Sequence, residues 1–91
     1  MPQFNETELT SAVIKSFEEV REPRIKFLME ELVKSLHGFV RKTDLTFAEW
    51  EYAIDFLTRV GQKCTPSRQE FILLSDVLGV SMLVEDRKSV V

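Results

Sequence analysis

Ninety-one residues, 44% hydrophobic and 30% charged, describe one small globular domain and exclude a disordered or membrane chain. A net charge of −3 argues against nucleic-acid binding, because phosphate contacts need a basic surface. The lone Cys64 can form no internal disulfide and suits a reducing cytoplasm, and a chain this short buries only about 60 to 65% of its unfolded surface, so a partner would add needed stability.

The first residues, Met1 to Glu8, have neither the basic start nor the apolar run of a signal peptide. Asn5 followed by Glu8 reads as a helix cap with its reciprocal acid, and Phe4 and Leu9 occupy the positions of a hydrophobic staple. Leu9, Val13, Phe17 and Val20 then recur at helical spacing until Pro23, whose ring suits the first turn of a second helix. That second helix runs from Pro23 to about Thr43. Ile25, Leu28, Leu32, Leu36, Phe39 and Val40 form its main apolar face, and Phe27, Met29 and Val33 flank it, an arc wide enough to touch two neighbours, one of which another subunit could supply. Gly38 inside the helix costs about 1 kcal/mol against alanine, tolerable if another backbone packs close there. The basic residues from Arg24 to Lys42, interleaved with Glu30 and Glu31, read as a solvated face.

Leu45-Thr-Phe-Ala-Glu-Trp50 carries the clearest local instruction: Thr46 caps, Glu49 returns the bond, and Leu45 staples against Trp50. Trp50, Ile54 and Leu57 make the inner face of this third helix, so Trp50→Ala should unfold the domain, and Gly61 should end the helix in a left-handed turn. Thr65-Pro-Ser67 opens the next helix, capped by Thr65 or by Ser67 with Glu70. From Arg68 to Val84 the chain is so apolar that it reads as a helix buried on more than one side, too short for a membrane span. Asp76 in its midst needs a partner, such as Arg59 or Arg68, with Ser75 and Ser81 in the same polar network. Residues 85–91 read as a frayed tail. The expected architecture is all-α, a four- or five-helix domain that forms dimers, with residues 1–91 as a single domain.

Catalytic chemistry is hard to find. His37 is the single histidine, and a metal site needs three or four convergent ligands, so it reads as an ordinary helix residue despite Glu30 and Glu31 nearby. Cys64 lacks a partnering base, the paired carboxylates diverge on their helices, and the isolated glycines form no phosphate loop. Catalytic, cofactor-binding and metal residues are therefore all assigned as none.

Four stretches carry a resemblance: Leu32-Val-Lys-Ser-Leu-His-Gly-Phe-Val-Arg41, Leu45-Thr-Phe-Ala-Glu-Trp50, Phe56-Leu-Thr-Arg-Val-Gly-Gln62, and Arg68 to Val84. Across about residues 17–84 they resemble the N-terminal helical domain of bacterial intradiol ring-cleavage dioxygenases, nearest in wording to the catechol and hydroxyquinol 1,2-dioxygenases. The resemblance implies a non-catalytic domain of a cytoplasmic enzyme of aromatic catabolism. In that family a separate β-sandwich holds iron(III) through two tyrosines and two histidines; no such ligand carries over to Tyr52 or His37, so no cofactor is expected in this chain. It also implies a homodimer interface and a hydrophobic tunnel for a phospholipid or fatty acyl chain. Phe17, Ile25, Leu28, Leu32, Leu36, Phe39 and Val40 are the candidates for interface or tunnel lining, although a monomer burying the same residues would read alike. An autonomous interaction protein that pairs with another subunit through this surface is the alternative. The charged ending departs from the family pattern, which leaves an excised domain, a truncated product and an independent small protein all open.

Overall fold

A computed structural model describes residues 5–87. It contains five helices: α1 (Glu6–Lys15), α2 (Pro23–Thr43), α3 (Phe47–Gln62), α4 (Glu70–Val77) and α5 (Val80–Asp86). The expected all-α class and helix number hold. The chain divides after Leu45 into two units, α1 packed with α2 in the first, and α4 packed with both α3 and α5 in the second.

In the first unit, Asn5 accepts a hydrogen bond from the Glu8 amide at 3.1 Å and starts α1 as its cap should; Phe4, its proposed staple, lies outside the described residues. The helix ends sooner than its apolar period suggests. The Ser16 hydroxyl donates to the Val13 carbonyl, and the amides of Phe17, Glu18 and Val20 reach back only three residues, to Ile14, Lys15 and Phe17. A serine that competes for a helix carbonyl in this way loosens the last turn. Phe17 and Val20 consequently leave the helix. The inner face of α1 is also rotated: Thr10, Val13 and Ile14 are half-buried, while Leu9 is exposed.

Pro23 occupies the first turn of α2, where its missing N–H costs nothing. The helix stops at Asp44, held in the left-handed region at φ 52°, which short polar side chains tolerate. Gly38 does not serve close packing: a Cβ built there meets nothing within 4 Å.

In the second unit, α3 begins with the full reciprocal box, the Glu49 amide donating to Thr46 Oγ1 at 3.1 Å and the Thr46 amide to Glu49 Oε1 at 3.0 Å. Trp50 stacks at a tilt on Phe47, centroids 5.4 Å apart. It remains 48% exposed, so it is not the buried keystone that its helical position suggests. Gly61 does not terminate the helix either; α3 continues through Gln62 to a right-handed Lys63 cap. The Phe71 ring lies 3.7 Å from where a Cβ on Gly61 would stand, ordinary contact that a small side chain would also allow.

The connection to α4 also differs from expectation. Thr65 and Arg68 exchange backbone hydrogen bonds of 2.8 and 3.1 Å around Pro66-Ser67, closing a tight turn. This turn uses up the residues expected to cap, so α4 starts after Gln69 without a side-chain cap. The apolar run is two short helices, because Gly79 sits at φ +79°, a left-handed conformation incompatible with a continuous helix. Neither helix contains a buried residue. Glu85 and Asp86 belong to α5 rather than to a tail, and residues 88–91 lie outside the described residues.

Candidate interaction surfaces

At 100° per residue, Ile25, Leu28, Leu32, Leu36 and Phe39 share one side of α2 and Val40 lies at its edge. Every one of them is about half exposed, Leu32 at 51% and Leu36 at 53%. The reason is where α1 sits. Half-buried Lys26, Glu30 and His37 and buried Val33 recur at intervals of four, three and four, and define the flank of α2 that faces the first helix. Val33, at 9% exposure, is the buried hydrophobic residue among those described. Sequence reading placed it on the lesser line, and nothing in apolar periodicity alone marks which of two adjoining stripes a short helix will cover.

Of the seven candidate interface residues, the structure brings together the six on α2. Phe17 lies half-buried in the turn after α1. Val40 is shared, since with Glu6, Leu9, His37 and Arg41 it lines a groove of about 260 Å³ between α1 and α2.

His37 locks the two helices polar to polar. Its Nδ1 lies 2.6 Å from Thr10 Oγ1, and that hydroxyl also lies 3.0 Å from the Glu6 carbonyl. The Thr10 hydroxyl thus stands within hydrogen-bond reach of both the His37 ring and a carbonyl of its own helix. Among the described residues no three His, Cys, Asp or Glu side chains gather as a metal site.

A second surface belongs to the other unit. Tyr52, Phe56, Arg59 and Lys63, spaced four, three and four apart along α3, line a cleft of about 460 Å³ with Leu73, Leu74 and Val77 of α4. Sequence reading missed this face although its helical spacing was visible. Asp76 is exposed and needs no buried partner: Arg59 pairs with Asp55 on its own helix and Arg68 with Glu70. Ser75 and Ser81 do meet, hydroxyl to hydroxyl at 2.7 Å, and tie α4 to α5. Cys64 points its thiol toward the Val60 carbonyl at 3.5 Å, with no base at hand among its described contacts. No helix of the described residues is long and apolar enough to cross a membrane.

Comparison with known proteins agrees with this architecture. The family model described as catechol dioxygenase N terminus matches residues 22–90. A 6-chlorohydroxyquinol 1,2-dioxygenase of Cupriavidus pinatubonensis is 51% identical over 83 residues, which are 91% of this chain and 30% of that protein. A hydroxyquinol 1,2-dioxygenase of Corynebacterium glutamicum is 54% identical over 77 residues, 85% of this chain and 26% of the relative. The solved hydroxyquinol 1,2-dioxygenase from Pseudomonas putida DLL-E4 superposes with a TM-score of 0.88 at 49% identity, covering 92% of this chain and 30% of that one. The chain thus spans under a third of the length of these relatives. With its five helices, its matched span and its close relatives, the chain belongs to the catechol dioxygenase N-terminus family, the helical N-terminal domain of hydroxyquinol and catechol 1,2-dioxygenases.

Proposed function

We propose that this chain is the non-catalytic, dimer-forming and lipid-binding part of a cytoplasmic intradiol dioxygenase that cleaves catechol or hydroxyquinol rings. The observation that carries the reading is the half-exposed apolar stripe of α2. Ile25, Leu28, Leu32 and Phe39 follow intervals of three, four and seven, the seam along which two long helices pack. A second copy of α2 laid against this stripe would bury the remaining half of each side chain, a gain on the order of 1 kcal/mol per residue. Leu36 and Val40 at the margins of the seam, with Phe17 beyond it, are suited to line an apolar channel for an acyl chain.

Iron chemistry under this reading belongs to the C-terminal part of the enzyme. One histidine with its Nδ1 engaged by Thr10, and one tyrosine, fall short of the donor set that a four-ligand iron(III) site requires. This chain's own work is assembly.

Native mass spectrometry of the purified chain tests both parts together. A dimer carrying additional phospholipid-sized mass supports the reading, a bare dimer removes the lipid, and a bare monomer at micromolar concentration removes both.

A further inference from the structure

We propose that His37 of α2 and Thr10 of α1 form an acid-tightened latch that holds the first helix on the second. The latch lies within the first unit and is independent of the dioxygenase reading.

Three features make α1 a detachable element. It has ten residues, fewer than the roughly 12 to 15 that an isolated helix needs to persist in water. Its last turn is already loosened at Ser16. Its apolar hold is slight, since Val13 and Ile14 are only half-buried and Val33 is the buried hydrophobic residue on the facing flank of α2. The half-buried contact of 2.6 Å between His37 Nδ1 and Thr10 Oγ1, which joins α1 to α2 by a side-chain hydrogen bond, is therefore a large share of what keeps α1 in place.

That contact depends on charge. Histidine ordinarily gains or loses its proton between about pH 5 and 8. A neutral ring meets the Thr10 hydroxyl as donor or as acceptor, and as acceptor it takes the proton that would otherwise go to the Glu6 carbonyl at 3.0 Å. An imidazolium only donates. Thr10 then keeps its proton for the carbonyl, both bonds form together, and the one from the ring is charge-assisted, roughly twice as strong as a neutral one. The charged groups that share the groove are Glu6 from α1 and Arg41 from α2, with Lys26 and Glu30 farther back along the same flank. Glu6 favours a charged ring and Arg41 opposes it, so the two offset one another and the hydrogen bonds decide. A proton that strengthens docking stabilises the docked helix at low pH, and the stabilisation fades as pH rises through the titration of the imidazole.

Release of α1 uncovers Val33. Val40 is common to the groove and to the α2 stripe, so the opened flank is continuous with the stripe, and a rise in pH widens the apolar surface that α2 presents.

Hydrogen exchange of the purified chain, read by mass spectrometry at about pH 5.5 and about pH 7.5 and corrected for the intrinsic rate at each, tests the latch. The α1 amides should be about threefold or more better protected at the lower pH, with the α3 amides as internal reference. Equal protection overturns the proposal, and so does greater protection at the higher pH. His37→Gln keeps a hydrogen-bonding side chain without a titration and should abolish the difference, as should Thr10→Val; a difference that survives either substitution overturns the latch. Glu6→Gln should leave the difference in place, and its loss there would overturn the latch by assigning the response to the carboxylate. Should His37→Gln or Thr10→Val release α1 at both pH values, the ring ¹⁵N shifts of His37 in the unaltered chain decide. Protection of α1 that follows protonation of the ring supports the latch, and protection that changes while the ring keeps one charge state overturns it.

Discussion

Helices α2 and α4 both expose large apolar side chains, but they do so in opposite ways. α2 is 21 residues long and keeps its apolar residues on one side, with Arg24, Glu31, Lys34 and Lys42 elsewhere on the wheel. α4 is eight residues long, lacks a side-chain cap and is apolar almost throughout. Length and amphipathicity let α2 hold its shape with one apolar stripe half exposed. α4 has no such independence, since a helix of two turns is marginal in water and persists by what packs on it. The contrast distinguishes a helix held by its own length from one that depends on its neighbours.

The comparison is broken most directly at the stripe. In the proposed dimer, where a second copy covers these half-exposed leucines, Leu32→Asp with Leu36→Asp should weaken self-association by about 100-fold or more. Light scattering should then report a monomer while circular dichroism stays close to that of the parent; collapse of the helical signal would mean that α2 depends on those leucines within its own chain. Val33→Ala tests the other flank of the same helix. It should cost about 2 kcal/mol of stability in urea by removing the buried contact under α1, with little effect on association.

Smaller effects sharpen the contrast in capping. Thr46→Ala should cost about 1 kcal/mol, seen as a drop of several degrees in Tm, because the reciprocal box at α3 loses its hydroxyl. Gln69→Ser at the uncapped start of α4 should move stability the other way by a few tenths of a kcal/mol if that helix end has room to use a cap. Gly38→Ala should stabilise α2 by up to about 1 kcal/mol, since open space surrounds the missing methyl group. A loss of stability in thermal melts would reveal an unrecognised neighbour.

Local chemistry was the legible part of the sequence. The Asn5 and Thr46 caps, the Pro23 start and the extent of α2 follow from groups within a few residues of one another, and the structure places them accordingly. What failed depended on competition between local options. Ser16 takes a carbonyl that the apolar period would leave to the helix, and Thr65 closes a turn with Arg68 instead of capping α4. Glycine was misread for a related reason: its freedom is used for a left-handed turn at Gly79 but not at Gly61 or Gly38, and sequence does not say where it applies. Burial was the least legible property. Apolar pattern identifies the sides of α2 that avoid water, whereas the choice of Val33 over Leu32 for the contact with α1 is a tertiary decision.

The joint at Gly79 makes the direction of the last helix a matter of handedness. An L-residue there pays for a positive φ, whereas a D-residue finds the same angle natural. At 91 residues the chain is within reach of total synthesis by ligation, so mirror-image chemistry can be applied at a single atom centre. L-alanine at this position should destabilise the protein by about 1 kcal/mol, and D-alanine should stabilise it by about 0.5 to 1 kcal/mol by restricting the unfolded chain. The same four atoms around one carbon, exchanged left for right, would then decide whether Met82 and Leu83 keep their bearing relative to α4.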